Sequence, residues 1–334
     1  MITEARPMPG KEWKECVFKN GSMSNEDYHK APGVSSSALP TILFDSPAAY
    51  KYKDPLEQPT QAMEFGTASH AALLEPEMFD SDFYRIPHKD DEGVIATDKA
   101  VMAILKELGV PGYTTKKGMD LYKMLLDEKP DLKILKVEQD KTVKANEGKI
   151  AVDGDKFDKL HKMRKVMVNH PEFKNVFNTM FYETSIFCQV KVEGCDDWID
   201  VKIRPDMVTQ DYLVPDYKTT ADATPRNFCR HAERLNYDMR MMFTCDVLSA
   251  IYGKQFTPSL MAQSTKSPYI PAHYVMDHPA TQWFGRQNYT EALVIYAECL
   301  KSNKWPADYS RTQQFTPSRY VQALYEEFMQ SEES

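Results

Sequence analysis

Hydrophobic positions between residues 183 and 220 alternate with polar ones, which is the period of a half-buried β-strand. The pattern predicts three successive strands, at residues 183–194, 197–208 and 211–220. The connections between them are short, as in antiparallel hairpins. We therefore expect the three strands to form one antiparallel unit.

Apolar residues on both sides of this region recur every three to four positions, the period of an amphipathic helix. Ser46-Pro47 and Thr224-Pro225 mark helix starts, and Gly253 marks a helix end. The predicted helices cover 46–53, 60–79 (ended or bent by Pro76), 154–179, 224–253 (one helix or a pair) and 280–302, and further strands lie near 256–262 and 269–276. This order predicts an α/β fold, with a mixed central β-sheet flanked by helices.

Residues 88–150 differ from the rest of the chain in being rich in Lys, Asp and Glu. Two segments within them, 97–108 and 115–127, predict helices in a solvated, charged insertion. We therefore divide the chain into an N-terminal arm (1–23), a single domain (24–320) that contains this insertion, and a C-terminal tail (321–334).

Composition and charge restrict the class of protein. The chain has 334 residues, of which 42% are hydrophobic, and a net charge of −8, which argues against a protein that coats nucleic acid. A basic groove on an acidic body is still compatible with this charge. The six cysteines form no CxxC pair, so we expect reduced thiols in a cytoplasmic protein. The sequence predicts neither a signal peptide nor a membrane span.

Two charged residues interrupt the third predicted strand, in the sequence DYLVPDYKTTAD. Asp216 and Lys218 are two positions apart, so their side chains share one face of the strand. Asp206 ends the second strand and would lie across the hairpin from Asp216. A structural ion pair would explain Asp216 and Lys218 alone, whereas two facing carboxylates favour a divalent cation. Lys218 would then act on a water molecule or on a charged phosphate.

Further motifs make the sequence resemble one group of nucleases. Pro205-Asp206 followed by Asp216-Tyr217-Lys218 is similar to the signature of the PD-(D/E)XK nuclease superfamily. Segments that resemble the C-terminal nuclease domain of RecE, exonuclease VIII, occur in the same order: SNEDYHKAPGVSSSAL (24–39), EFGTASHAALLEPEMF (64–79), ETSI (183–186), RPDMV (204–208), DYKTTAD (216–222) and KWPA (304–307). They span most of the chain outside the insertion. The resemblance implies a restriction-endonuclease-like core.

The resemblance also implies a role for each matched residue. The implied metal ligands are His70, Asp206, Asp216 and the backbone carbonyl of Tyr217, and the implied catalytic residues are Lys218, Asp216, Asp206 and Glu183. His70 would be a helix-borne metal ligand, with Gly66 one turn earlier leaving room on that face; a core histidine is the alternative. Glu183, on the first strand, would orient a water molecule or bind a second metal, unless it is a surface carboxylate.

The helix after the lysine departs from the family pattern. Arg240 stands where the family carries a Gln, and Thr244 stands where its Tyr would follow. Tyr237, one turn before Arg240, matches RecE, and the resemblance implies that it contacts DNA together with Arg240. Arg240 would bind a DNA phosphate through two hydrogen bonds or, alternatively, disturb the placement of water.

Two more features predict contacts with DNA. Arg226, Arg230 and Arg234 are four residues apart, so they share one helix face, which is either a ridge for the DNA backbone or a solvated surface. Ser36 or Ser37 would begin a short helix whose amides could bind a 5′-phosphate, an ordinary helix cap being the alternative for Ser37.

The resemblance implies a Mg²⁺-dependent exonuclease, with Mn²⁺ as a substitute cation, that acts on the ends of linear double-stranded DNA. It would digest 5′ to 3′ and leave 3′ overhangs for a RecT-like single-strand annealing protein. A homo-oligomeric ring in the cytoplasm of a bacterium or phage-infected cell is implied in the same way. The cysteines do not fit the layout of related iron–sulfur nucleases, so we expect no cluster.

Two alternatives stay open at this stage. One is a RecB-like nuclease that acts as an endonuclease or in defence. The other is a catalytically weakened member of the fold that binds DNA without cutting it. The weakened form is disfavoured because Asp206, Asp216, Lys218 and His70 are all present. Arg240 and Thr244 argue mildly for it.

Overall fold

A computed structural model gives the fold and describes residues 1–332 apart from 55–59, 172, 174–178, 308, 310, 311, 313 and 315. The strands are β1 (Ile2–Pro7), β2 (Val17–Phe18), β3 (Val34–Ser35), β4 (Phe83–Ile86), β5 (Val94–Ile95), β6 (Lys133–Ile134), β7 (Ile150–Asp153), β8 (Thr179–Tyr182), β9 (Ser185–Val192), β10 (Cys195–Ile203), β11 (Met207–Thr209), β12 (Leu213–Thr220), β13 (Thr257–Ser264) and β14 (Pro271–Val275). The helices are α1 (Asn25–Lys30), α2 (Pro47–Lys51), α3 (Gln61–Leu74), α4 (Pro76–Asp82), α5 (Asp98–Glu107), α6 (Gly118–Glu128), α7 (Leu135–Ala145), α8 (Gly154–Asn169), α9 (Pro225–Arg234), α10 (Tyr237–Tyr252), α11 (Pro279–Ser302) and α12 (Arg319–Glu332).

The largest sheet of the described residues has the order β1-β9-β10-β3, with β2 also pairing with β9. β9 and β10 form the antiparallel hairpin that the sequence predicts, and β3 pairs with β10 in parallel. β1 pairs with β9, where Ala5 lies opposite Val190. Residues of the predicted N-terminal arm therefore form an edge of the main sheet, which covers one side of β9.

The strand that carries Asp216 lies in a different sheet, with the order β12-β13-β14. β12 runs parallel to β13, and β13 is antiparallel to β14. The predicted hairpin between the second and third strands is therefore wrong. Pro205 has no N–H for a ladder bond, so β10 ends at Ile203 and the chain beyond it pairs with β8 as β11. Both sheets contain parallel and antiparallel pairs, which confirms the α/β class with a mixed sheet.

The main hydrophobic core lies between these strands and the helices α10 and α11. α10 is buried on nearly all sides because it contacts β1, β13 and α11. Gly285 allows α11 to approach α10, since a Cβ there would lie 2.6 Å from the carbonyl oxygen of Asp238. This packing fixes the position of α10 relative to β12.

Several helices differ from their predicted bounds for local reasons. The segment predicted over 60–79 is two helices, because α3 ends at Leu74 and Pro76 begins α4. The segment 224–253 is also a pair, α9 and α10, separated by Asn236 at a left-handed φ of 54°. The helix predicted over 154–179 ends at Asn169, and its positions 172 and 174–178 lie outside the described residues.

The predicted insertion (88–150) is bracketed by β4 and β7, which pair in parallel with Phe83 opposite Ile150. α5 and α6 correspond to its two predicted helices. Together with α7 and β6 they enclose a small apolar cluster, which consists of Val101, Leu105, Leu121, Leu125, Ile134 and Val137. The insertion therefore has a local core beneath its charged surface.

Three smaller features complete the fold. Among the residues that the structure describes, no helix is long and apolar enough to cross a membrane. All six cysteines are free thiols, and Cys188 and Cys195 do not face each other, because they lie opposite Val201 and Val192. The predicted tail contains most of α12, and its residues 333–334 lie outside the described part.

Candidate active site

Helix α3 presents His70 to a group of acidic residues. The Nδ1 atom of His70 lies 3.3 Å from Oδ2 of Asp206, and its ring meets the ring of Tyr217 edge-on, with centroids 5.2 Å apart. Gly66, one turn earlier, has no described atom within 4 Å of where its Cβ would be. The helix therefore leaves open space beside His70, as the Gly–His spacing predicts.

Asp206 follows Pro205 and lies between β10 and β11. Its Oδ2 atom accepts a hydrogen bond of 2.7 Å from the backbone N–H of Tyr217. That N–H is available because β12 is an edge strand, in which alternate amides point away from the neighbouring strand. A side-chain contact between two sheets, not a hairpin ladder, therefore brings Asp206 close to the strand that carries Asp216.

Asp216 and Lys218 form the ion pair that their spacing suggests. The Nζ atom of Lys218 contacts Oδ2 of Asp216 and also donates to the carbonyl oxygen of Tyr217 at 3.2 Å. Both side chains are about four-fifths buried, with 18% and 20% of their surface exposed. The carbonyl that the resemblance assigns to the metal is thus occupied by Lys218 in this structure.

Glu183 occupies the junction between β8 and β9 instead of a position within the first predicted strand. Its backbone has a φ of +39°, which is unusual for a residue other than glycine, and its N–H donates to the carbonyl oxygen of Asp206 at 3.0 Å. One ligand atom each from His70, Glu183 and Asp206 lie within 4.8 Å of one another. The structure therefore groups Glu183, in place of Asp216, with the histidine and the first acid.

The two grouped carboxyls are shifted toward the protonated form. Burial, reinforced by the charges of Asp206 and Glu75, raises the pKa of Glu183 to about 9. Burial also raises the pKa of Asp206, against the opposing effect of His70. Two such carboxyls beside an imidazole suit a divalent cation, because the cation replaces the protons that otherwise limit their repulsion. The donor set therefore fits a metal ion.

The Asp216–Lys218 pair is shifted toward the charged form. Burial alone would raise the pKa of Asp216, but Lys218 and Arg240 hold it below its usual value. Burial alone would lower the pKa of Lys218, but Asp216 and Asp206 hold it above its usual value. Lys218 is therefore an ammonium group at neutral pH.

One cavity of about 710 Å³ is lined by His70, Glu183, Asp206, Asp216 and Lys218. The Asp216–Lys218 pair is close enough to the His70–Glu183–Asp206 group for its charges to affect the pKa of Asp206. Tyr237 and Arg240 of α10 line the same cavity, with the Arg240 guanidinium 5.3 Å from the centre of the Tyr237 ring. Thr244 also lines it and donates to the carbonyl oxygen of Arg240 at 3.0 Å. Positive and negative groups therefore share a space large enough for part of a nucleotide chain.

The remaining predicted DNA contacts are divided between the cavity and the surface. Arg226, Arg230 and Arg234 are exposed on α9 and do not line the cavity. Ser37 lines it, and its hydroxyl lies 3.0 Å from that of Ser35. No helix begins at Ser36 or Ser37, because residues 36–38 form a turn after β3, and the helical residues 39–40 lead into a π-helical turn at Thr41–Asp45.

Two charged residues of the cavity were not anticipated. Arg204 lies two positions before Asp206, so a strand-face argument applied to the IRPD sequence would have placed both side chains together. Glu75 follows the last residue of α3 in the LLEP sequence, and burial raises its pKa. Its distance of five residues from His70 gives little sign that it lines the same cavity.

A second group with metal-type side chains lies beside the insertion. His88, Asp153 and Asp155 have ligand atoms within 4.8 Å of one another, but both acids are exposed. The closest His88–Asp153 contact is 3.8 Å. Clustered acids on a surface are common without a bound ion, so this group by itself does not define a site.

An α/β core in which Pro205-Asp206 adjoins Asp216-Tyr217-Lys218 is the arrangement of the PD-(D/E)XK nuclease superfamily. A family model described as "PDDEXK-like domain of unknown function (DUF3799)" matches residues 45–315, and the chain belongs to that family. The superfamily prediction is confirmed, whereas the RecE branch stays a prediction.

One solved structure agrees with this chain at the level of the fold. The crystal structure of a candidate exonuclease from Eubacterium rectale covers 89% of this chain and 96% of its own, with 8% identity and a TM-score of 0.50. At that identity it shows the fold alone. The crystal structure of SSO0001 covers 77% of this chain at 13% identity, but its TM-score of 0.27 carries no argument. A search of curated proteins gave no significant match.

Proposed function

We propose that the protein is a Mg²⁺-dependent exonuclease that hydrolyses phosphodiester bonds at the ends of linear double-stranded DNA. The observation that carries the proposal is the His70–Glu183–Asp206 group beside the Asp216–Lys218 pair in one cavity. The family fold supports a nuclease. The description of the E. rectale protein as a candidate exonuclease, together with the resemblance to RecE, supports the exonuclease form.

His70, Glu183 and Asp206 would hold the cation, and Asp216 would join them when it separates from Lys218. Carboxylate oxygens with one imidazole suit Mg²⁺, with Mn²⁺ as the natural substitute. When bound, the cation would supply Lewis acidity to the scissile phosphate. Asp206 would stay correctly oriented through the N–H of Tyr217, which holds one of its oxygens.

Lys218 would act as a cation and not as a base. Its raised pKa keeps three N–H donors available, and phosphodiester hydrolysis places extra negative charge on the phosphate oxygens. Its partner Asp216 would hold the ammonium group in position until the phosphate arrives. This assignment favours electrostatic stabilisation over removal of a proton from water.

Arg240 would hold a phosphate beside the Asp216–Lys218 pair. A guanidinium matches two phosphate oxygens at once, which the Gln of the family cannot do with the same charge. The centre of the Tyr237 ring lies 5.3 Å from this guanidinium and 5.5 Å from Nζ of Lys218, so both cations contact one aromatic ring. Arg226, Arg230 and Arg234 lie outside the cavity and would contact DNA only farther along the duplex. Ser37 would contact the terminal nucleotide.

The resemblance to RecE supports the finer parts of the proposal. Digestion would proceed 5′ to 3′ and leave 3′ overhangs for a RecT-like annealing protein during recombination. The active form would be a homo-oligomeric ring in the cytoplasm of a bacterium or of a phage-infected cell.

The test uses linear duplex DNA labelled at either 5′ or 3′ ends, a closed circular duplex, and Mg²⁺ or EDTA. We expect Mg²⁺-dependent loss of linear DNA only, with the 5′ label released first. Lys218→Met should abolish cleavage because it keeps the packing but removes the charge. Lys117→Met, on the exposed surface of the insertion, is the matched control.

Other outcomes would redirect the proposal. Nicked circles would favour the endonuclease alternative. DNA binding without cleavage by the unmodified protein would favour the catalytically weakened form. Early release of the 3′ label would reverse the proposed polarity and leave the exonuclease assignment in place.

A further inference from the structure

The backbone of Glu183 is held in a conformation that this residue does not favour. Its φ of +39° lies in the left-handed region, where a Cβ crowds the following carbonyl oxygen. Such conformations persist where the surrounding structure holds them, and they concentrate at functional sites. At Glu183 these contacts come from residues 20–24 and from Arg204.

A loop near the N-terminus brackets Glu183 on both sides. Gly21 donates its N–H to the carbonyl oxygen of Glu183 at 3.2 Å. The side-chain oxygen of Asn20 accepts from the N–H of Tyr182 at 3.3 Å, and the N–H of Asn20 donates to Oγ1 of Thr184 at 3.3 Å. The loop thus bonds to Glu183 and to both of its neighbours. We call residues 20–24 the N-terminal loop.

The loop can make these contacts because its own backbone is left-handed. Asn20 has a φ of 51° and Gly21 a φ of 69°. Asn tolerates that region better than other residues with a side chain, and its amide oxygen serves as the acceptor. Asn20 therefore supplies two properties at once, a tolerated backbone angle and a hydrogen-bond acceptor.

Arg204 fastens the other end of the loop to the strand that leads to Asp206. Its Nη2 donates to the carbonyl oxygens of Met23 at 2.9 Å and Ser24 at 3.3 Å. Its Nε donates to the hydroxyl of Ser185 at 2.7 Å. One guanidinium therefore ties the N-terminal loop to the first residue of β9, two positions after Glu183.

We infer that the N-terminal loop is a positioning element for the candidate metal centre, in which Asn20 and Arg204 hold Glu183 so that its carboxylate faces His70 and Asp206. The inference rests on the proposed function, because it assigns the grouped side chains to a cation. It adds two positioning residues, neither of which is one of the grouped ligands. It also gives a role to a segment that sequence patterns mark only as an arm.

Asn20 is the better residue for a test. It does not line the cavity and is not one of the grouped ligands, whereas Arg204 lines the cavity. Asn20→Gly keeps the left-handed backbone accessible but removes the acceptor. Asn20→Asp keeps both properties. Because Asn20 is exposed, both variants should fold, and their melting temperatures verify this.

The measurement is calorimetric titration of the DNA-free protein with Mn²⁺. We expect Asn20→Gly to weaken Mn²⁺ binding roughly tenfold, the effect typical of residues that orient a ligand, and Asn20→Asp to restore it. Asn303→Gly is the matched control, since Asn303 is also exposed and left-handed, at φ 52°, and lies at the end of α11.

A double-mutant cycle distinguishes an effect of Asn20 on the position of Glu183 from a general loss of Mn²⁺ affinity. If Asn20 acts through Glu183, Asn20→Gly should have no further effect on Mn²⁺ binding in a Glu183→Gln background. An equal loss in both backgrounds, or unchanged affinity in Asn20→Gly, would overturn the inference and leave the proposed function intact. The variants could instead bind Mn²⁺ as the cycle predicts while the unmodified protein cuts no DNA. That result would overturn the proposed function alone. If the unmodified protein binds no Mn²⁺, both are overturned.

Discussion

The His70–Glu183–Asp206 group and the His88–Asp153–Asp155 group contain the same kinds of side chain but differ in their surroundings. We call the first the cavity group and the second the surface group. In the cavity group the side chains of His70 and Asp206 are 25% and 13% exposed, whereas the side chain of Asp153 in the surface group is 55% exposed. Burial raises the pKa values of both cavity acids. At the surface, a hydrogen bond between the two acids raises the pKa of Asp153 and lowers that of Asp155.

The two groups therefore differ in burial and charge, not in the type of side chain. Glu183 and Asp206 are buried, so water does not solvate their ionised forms. These two acids therefore need a cation or protons. Water solvates the surface acids Asp153 and Asp155, and the solvent screens the repulsion between their charges. Lys218, paired with Asp216, lines the same cavity as the buried group. Three pairs of matched variants test the difference between the two groups.

The largest expected effect is on DNA cleavage. Asp206→Asn should lower the rate by at least about 100-fold, because the amide removes a metal-type ligand while its oxygen can still accept the bond from Tyr217. Asp153→Asn, the matched change in the surface group, should leave the rate unchanged. Mg²⁺-dependent degradation of linear duplex DNA measures both. Equal rates for the two variants would place the active centre elsewhere.

The second effect is on metal binding. His70→Ala should weaken Mn²⁺ binding by at least about tenfold, whereas His88→Ala should not change it. Calorimetric titration of the DNA-free protein gives the affinity and the number of sites. A loss of one site in His88→Ala would contradict the distinction between the two groups.

The smallest effect is on stability as a function of pH. The pKa of Glu183 is raised from its usual 4.5 to about 9, so the folded state binds more protons than the unfolded state between these values. In metal-free protein this group's contribution to stability is therefore lost as pH rises through that range. The melting temperature of the unmodified protein, relative to Glu183→Gln, should fall by a few degrees between about pH 5 and pH 9.

Scanning calorimetry in EDTA checks this prediction. Asp153→Asn is the surface control, and it should change the pH dependence less than Glu183→Gln does. A pH-independent difference between the unmodified protein and Glu183→Gln would mean that Glu183 is already charged in the metal-free state.

Local patterns in the sequence predicted much of this site. Asp216 and Lys218 share a strand face because of their spacing, and His70 follows Gly66 by one helical turn. Both arrangements depend on residues within a few positions of each other. The helices also followed from local signals, such as the Ser46 cap and Pro47 of α2.

The parts that failed depend on contacts between distant segments. The hairpin prediction overlooked Pro205, which ends β10 and lets Asp206 reach Tyr217 from outside the ladder. The N-terminal arm showed no sign that β1 pairs with β9 or that Asn20 meets Tyr182. Such pairings depend on which strand edges and apolar surfaces remain exposed after the rest of the chain has folded. No single window of sequence contains that information.

The parallel pairing of β4 and β7 limits how the insertion can be removed. A chain that leaves β4 must travel back along the length of the strand before it enters β7 in the same direction. Replacing residues 88–148 by a tight turn would therefore force the two strands apart or reverse one of them. A shortened protein would need a crossing linker of about a dozen residues at this place. The inserted unit is consequently exchangeable for another crossover connection, and it cannot simply be cut out.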